Sequence, residues 1–184
     1  MAFKPKYYAE VNLKESPQNT DYLNMPDPVY GKLEDYEIIS KVGRGKYANV
    51  FEGVNMINNQ RVVLKALKPL TKRKIKREIF MMKRLKDGPN IVKLIDVVKD
   101  NGSHTISLVF EYIDNLDFRE LYPKFTDQDV RFFMHEVLVA LDYCHSKGIM
   151  HRDVKPQNIV YDFSNKILKL IDFGLSEFFF PNKN

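Results

Sequence analysis

His151-Arg152-Asp153-Val154-Lys155-Pro156-Gln157-Asn158 brings a carboxylate, an ammonium and a carboxamide into one short loop. Asp153 can receive a proton from a hydroxyl, Lys155 can neutralise an anion beside it, and Asn158 offers an oxygen to a hard cation. Asp172-Phe173-Gly174 follows 14 residues after Asn158, on the end of the run Leu168-Lys169-Leu170-Ile171. Asp172 supplies a second oxygen ligand of the kind that Mg²⁺ takes.

Upstream, Gly43-Arg44-Gly45-Lys46-Tyr47-Ala48-Asn49-Val50 also satisfies the dinucleotide pattern G-x-G-x-x-A. That pattern leads from a strand into a helix. Here Val50-Phe51-Glu52-Gly53-Val54 continues as a second strand. A strand–glycine turn–strand can fold over phosphates because no Cβ blocks the approach of the backbone. A P-loop is excluded, since Tyr47 follows Gly45-Lys46 and Ser40 stands where its first glycine belongs. Val62-Val63-Leu64-Lys65 then ends an apolar strand on a lysine, which is costly unless an anion receives it. Glu78, 13 residues on, is the expected partner; a surface lysine and an unrelated helical acid are the plainer alternative.

In order and spacing these segments resemble the motif set of protein kinases, whose loop H-R-D-x-K-P-x-N is matched at every defined position. The resemblance implies that Lys65, held by Glu78, serves the α- and β-phosphates of ATP, with Asp153 and Lys155 at the transferred group. Asn158 and Asp172 would hold Mg²⁺, and residues Val42, Gly43, Arg44, Gly45, Lys46, Tyr47, Ala48, Asn49 and Val50 would cover the nucleotide. Leu108-Val109-Phe110-Glu111-Tyr112-Ile113 would be the hinge, with backbone groups of Glu111 and Ile113 toward adenine and Phe110 behind it. Val42, Val50, Val63, Val160 and Ile171 would form apolar walls. Ordinary strand packing is an adequate alternative for each wall residue taken alone.

The pattern around these motifs predicts an α+β chain with a protein-kinase-like fold. Residues 1–35 read as an extended arm, 36–112 as a mostly β lobe, and 113–184 as the hinge and the first part of a helical lobe. Strands are expected at 36–42, 48–55, 61–67, 91–98, 105–112, 159–161 and 168–171. Helices are expected at 71–86, stopped by Asp87-Gly88-Pro89, and at 127–146, capped by Thr126 or Asp127 and stopped at Gly148.

The chain has 184 residues, 44% hydrophobic and 29% charged, as soluble globular proteins do. No apolar run approaches the ~20 residues of a membrane span, and the N-terminus has no apolar core of a secretory signal. A single cysteine, Cys144, excludes an internal disulfide framework and fits a reducing, intracellular setting. It reads as a core thiol, and His135 and His145 lack further ligands in register for a metal. The net charge is +5, and ten of the 29 basic residues lie between Lys65 and Lys86. Such a cluster attracts an anion, or else forms a solvated helix face.

Within the kinases the chain resembles the catalytic alpha subunit of casein kinase II, from about Tyr7 to its end. The resemblance rests on Gly43-Arg44-Gly45-Lys46-Tyr47, Leu67-Lys68-Pro69, Lys72-Arg73-Lys74-Ile75-Lys76-Arg77-Glu78, Gly88-Pro89-Asn90-Ile91, Leu141-Asp142-Tyr143-Cys144-His145 and Gly148-Ile149-Met150 before the loop. It implies a constitutively active, Mg²⁺-dependent Ser/Thr kinase of the cytoplasm and nucleus that uses ATP or GTP. Its partners would be acidic protein substrates, read in part by Lys72, Arg73, Lys74, Lys76 and Arg77. A regulatory beta subunit would dock on the outer face of the β lobe, where Ile38, Phe51 and Ala66 stand. No membrane partner is expected, and nucleic acid on the basic helix is the weakest reading. Three departures stand out: Phe173 where the family usually has Trp, Leu23 and Tyr30 near the arm's usual tryptophans, and Ala48 for the last loop glycine. Family members continue well beyond Asn184, so the expectation for this polypeptide alone is low activity or stability, with the apolar face of 127–146 exposed. A nucleotide-binding or beta-subunit-binding module is the alternative.

Overall fold

Residues 6–16, 19–69 and 72–181 are described by the computed structural model. Strands β1 (Gly31–Lys32), β2 (Tyr36–Arg44), β3 (Ala48–Asn55), β4 (Gln60–Leu67), β5 (Leu94–Lys99) and β6 (Ile106–Glu111) form one sheet in the order β1-β5-β6-β4-β3-β2. β2, β3 and β4 are the expected antiparallel meander, with Tyr36 opposite Asn55 and Asn55 opposite Gln60. The second turn closes with Asn59 at φ 58° and Asn58 Oδ1 accepting from the Gln60 amide at 3.1 Å, a role that asparagine suits. Between β5 and β6, the Asp100 carboxylate accepts from the Ser103 amide at 2.8 Å. β4 alternates cleanly: Val62 and Leu64 pack with Tyr36, Val98 and Val109 on one face, which turns Val63 and Lys65 to the other.

The helical part is built on α4 (Asp127–Ser146), where Thr126 and Asp129 form a reciprocal capping box. Gly148, at φ 67°, ends it in the left-handed conformation that glycine accepts without strain. Short β7 (Ile149–Met150) pairs with β10 (Glu177–Phe178), and β8 (Ile159–Asp162) with β9 (Ile167–Leu170). Phe118 of the short α3 (Phe118–Leu121), Phe125, Tyr161 and Phe163 form an aromatic group with Phe133 of α4. Cys144 is fully buried, and burial raises its thiol to about 12, which fits a packed group. Val130, Met134 and Leu138 form an exposed apolar stripe on α4.

Between the lobes lies α2 (Lys72–Arg84), which ends two residues before the expected 86; Thr71, the expected start, lies outside the described residues. Its Ile79 and Met82, with Leu85, join one continuous core with Leu108 and Phe110 of β6, Ala140 and Cys144 of α4, Leu170 of β9 and Phe173. The two lobes therefore share apolar packing across their junction.

Two sequence expectations are corrected. The strand expected at 91–98 begins at Leu94; Ile91 makes an isolated parallel bridge to Leu170 instead, because its segment is bonded to the other lobe. The arm is more structured than expected, with α1 (Val11–Lys14) and β1, which runs parallel to β5. Its described residues dock at several points. Tyr22 is buried in the shared core, Glu15 pairs with Arg84 at 2.8 Å, and Asn12 Nδ2 donates to the carbonyls of Gly148 and Phe179, each at 2.7 Å.

Asn12 is 4% exposed, so truncating it strands the Phe179 carbonyl. Asn12→Ala should cost about 1–3 kcal/mol, lowering the melting temperature by roughly 2–4 °C for each kcal/mol. An unchanged melting curve would show that the arm contributes nothing to stability.

Candidate active site

Lys65 reaches from β4 into the space between the lobes. Its Nζ donates to Glu78 Oε1 at 2.6 Å and to Asp172 Oδ1 at 2.7 Å. Glu78 sits on the inner face of α2 and is 4% exposed, so the helix presents a buried carboxylate to the strand lysine. Burial works against the Lys65 charge, but Glu78 and Asp172 outweigh it and hold its pKa above the ordinary value. Burial likewise opposes the Asp172 charge, and Lys65 overcomes it, holding that carboxyl below the usual range. Asp172 adopts φ 62°, in the left-handed region that a non-glycine residue occupies at a cost of order 1 kcal/mol or more. Gly174 follows, and a Cβ there would come within 3.2 Å of Glu78 Oε2 and 3.3 Å of Asp172 Oδ1. A side chain at that position would press on both carboxylates.

Opposite this triad, Asp153 Oδ2 accepts from Lys155 Nζ at 2.7 Å and from Asn158 Nδ2 at 2.8 Å. The bond from Lys155, helped by Asn158, keeps the Asp153 carboxyl below the usual range. Asn158 Nδ2 also bonds the Asp153 carbonyl at 2.8 Å, which leaves the amide oxygen as the group that can face a cation. Asn158 and Asp172 line the same cavity. Two hard oxygen donors across one cavity suit Mg²⁺.

His151 ties the loop to the triad. Its Nδ1 accepts from the Asp153 amide at 3.2 Å, so Nε2 carries the hydrogen and donates to the Ile171 carbonyl at 3.0 Å. Its ring meets Phe173 edge-on at 4.7 Å between centroids. The ring is 2% exposed, and burial lowers its pKa. Arg152, at φ 67°, donates from Nε to the Leu175 carbonyl at 2.7 Å.

A cavity of about 250 Å³ lies between the two clusters. Of the expected nucleotide pocket, Val50, Val63, Lys65, Phe110, Glu111, Ile113, Val160 and Ile171 line it, as do Asn158 and Asp172. Val42 does not; it is 55% exposed on β2. Residues Gly43 to Asn49 do not line it either; they are the ends of β2 and β3 and the turn between them, where the Gly45 amide bonds the Ala48 carbonyl at 2.8 Å and Lys68 Nζ bonds the Gly45 carbonyl at 2.6 Å. Val92 and Gln157 also line the cavity; sequence reasoning missed them, although Val92 sits in an apolar run and Gln157 within the quoted loop.

The basic cluster is divided. Arg77 Nη2 bonds the Gly174 carbonyl at 2.8 Å and its Nη1 lies 3.4 Å from Glu177. Lys76 bonds the Met25 carbonyl at 2.6 Å and Asp27 at 3.1 Å, and Arg73 reaches Tyr22. Lys74 lies 5.1 Å from the Tyr47 ring centroid, and Lys72 is exposed. Lys72, Arg73 and Lys74 are all exposed at this helix end, and Arg73 is the one of them that reaches the arm. On the outer sheet face Ile38 is half exposed, while Phe51 packs partly against the core of that face.

Against known protein families, residues 36–184 match the protein kinase domain.

The neutral His151 carries a pH signature. The unfolded histidine takes up a proton near pH 6.5 and the buried one only below that. Its stabilising effect is complete above about 6.5 and fades as pH falls through this window. The melting temperature should drop between about pH 7 and pH 5, and His151→Gln should flatten that slope. An equal slope in the variant would place the effect on other groups.

Proposed function

The chain belongs to the protein kinase family, and on that premise we propose that it transfers the γ-phosphate of ATP, or of GTP, to Ser or Thr hydroxyls in acidic sequence contexts, in the manner of casein kinase II. The observation that carries this reading is Lys65, bonded at once to Glu78 and Asp172 and sharing one cavity with Asn158, whose amide bonds the Asp153 carboxylate that Lys155 also holds. Lys65 would hold the α- and β-phosphates, its own position fixed by Glu78. Asp153 would orient the acceptor hydroxyl and receive its proton as the oxygen attacks phosphorus and the bond to the departing nucleoside diphosphate breaks. Lys155 would leave its present bond to Asp153 and balance charge on the transferred group. Asn158 and Asp172 would hold Mg²⁺, which, when bound, neutralises the phosphate oxygens. Bases and ribose would pack between Val63 above and Val160 and Ile171 below, with hinge backbone at Glu111 and Ile113 supplying polar contacts.

The acidic preference rests on exposed Lys72 and Lys74, the latter over the Tyr47 ring, while Lys76 and Arg77 are engaged internally. Exposed cations of this kind would raise the encounter rate with an acidic peptide, and salt would screen the effect. A regulatory beta subunit on the outer sheet face, at half-exposed Ile38, belongs to the same proposal.

A serine peptide followed by aspartates should be phosphorylated with Mg-ATP. Asp153→Asn should cut turnover by about 10²- to 10⁴-fold while nucleotide binding persists. Lys72→Glu with Lys74→Glu should raise KM for the acidic peptide and leave KM for ATP near its starting value. Equal turnover of a basic peptide would overturn the substrate class, and turnover untouched by Asp153→Asn would overturn the site.

A further inference from the structure

The carboxylate of Glu111 turns away from the cleft and joins three segments of the chain. Its Oε1 accepts from the Lys93 amide at 2.9 Å, and the Glu111 amide returns a bond to the Lys93 carbonyl at 3.1 Å. The same oxygen lies 3.5 Å from Lys169 Nζ on β9, and that ammonium also reaches the Ile91 carbonyl at 3.4 Å. Both side chains are about three-quarters buried, at 23% and 28% exposed, so the pair is shielded more than a surface pair. Backbone bonds complete the junction. The Val92 amide donates to the Leu170 carbonyl at 3.1 Å and the Leu170 amide to the Asn90 carbonyl at 2.7 Å. Asn90 is anchored in turn to Glu136 of α4 at 2.6 Å.

The position of this junction gives it leverage. Glu111 ends β6 and lines the cavity, as do Val92 from the bonded segment and Ile171, two residues past Lys169. Val160, on the same wall as Ile171, is the strand partner of Lys169. A shift of Lys169 relative to Glu111 therefore moves one wall of the cleft against the other.

We propose that Glu111 and Lys169 form a positioning pair that sets the opening of the cleft, and with it the affinity for nucleotide. The proposal rests on reading the cavity as the nucleotide site. It assigns neither residue to the chemistry: the carboxylate and ammonium hold the hinge, the 90–93 segment and β9 in one arrangement. Breaking the pair frees the lobes to part and weakens nucleotide contact on both walls at once.

The test uses the full 184-residue chain with the variants Lys169→Met, Glu111→Gln, their combination, and Lys169→Arg. Amide hydrogen exchange without ligand and titration with Mg-ADP are the two readouts. Either single change should speed exchange at Val92, Lys93 and Glu111 and raise the Kd for ADP about two- to fivefold, the range of a partly buried ion pair. The combined variant should be no worse than the more affected single one, and Lys169→Arg should restore both readouts. If Lys169→Met does not melt cooperatively, Glu111→Gln, which keeps the side-chain shape, decides the matter. Wild-type exchange and affinity in the single variants, or fully additive effects, would overturn the pair. Failure of the unmodified chain to bind ADP would instead overturn the nucleotide reading, while the exchange measurement still decides whether the pair holds the lobes.

Discussion

The ammonium of Lys65 stands almost out of water, and it keeps its charge because Glu78 and Asp172 both lie within hydrogen-bonding distance. A buried ion pair of this kind is a weak source of net stability, since desolvation offsets most of the attraction. Losing one partner is a different matter, because the remaining charge is then buried alone. The triad is therefore better described as a constraint than as a glue. It demands that α2 lie against the sheet with Glu78 turned inward. The chain leaves β9 in a left-handed conformation at Asp172, and a Cβ at position 174 would press on both carboxylates. Packing supplies what the ion pairs do not. Ile79, Met82 and Phe173 belong to the core that holds these elements together, and of the two carboxylates Glu78 is the buried one.

The same economy governs the loop below. His151 is neutral and buried, with one ring nitrogen accepting from the Asp153 amide and the other donating to the Ile171 carbonyl. It joins the backbone that presents Asp153 to the backbone just ahead of Asp172, so the two carboxylates are set by one rigid ring. The left-handed residues Arg152 and Asp172 flank that ring in space. Each costs backbone energy, and each is held by a specific bond: Arg152 to the Leu175 carbonyl, and Asp172 to Lys65. Strain is tolerated here because neighbouring contacts leave no alternative conformation.

The chemistry was legible in the sequence because it is written in short-range spacing. Asp153, Lys155 and Asn158 fall within one loop, and Lys65 with Glu78 needs only a strand followed by a helix. The sheet was legible through its alternation and its Gly, Asn and Asp turns. What stayed hidden depends on partners far along the chain. Nothing local marks Asn12 as the residue that bonds Gly148 and Phe179, or Tyr22 as part of the core. The segment at Ile91 has strand composition, yet its amides are committed to the other lobe, so β5 starts later. Glu111 reads as one more hinge residue, and only its bent-back carboxylate reveals Lys93 and Lys169 as partners.

Charge density along α2 illustrates the same limit from the other side. In sequence its cations look equivalent, and a uniform basic face is the natural expectation. In space they have been sorted by the turn of the helix. Arg73, Lys76 and Arg77 meet the arm and the segment after Gly174, through Tyr22, Asp27, the Met25 and Gly174 carbonyls and Glu177. These contacts hold the inner edge of α2 against the elements that carry Asp172, so they reinforce the geometry around Lys65. Lys72 and Lys74 lie at the start of the helix near Tyr47, where no internal acid compensates them among the described residues. Cations at a helix N-terminus are disfavoured by the helix dipole, and the helix has no acidic residue in its first turn. The arrangement gives up some helix stability at that end and leaves ammonium groups exposed to solvent, one of them over the Tyr47 ring in the turn between β2 and β3.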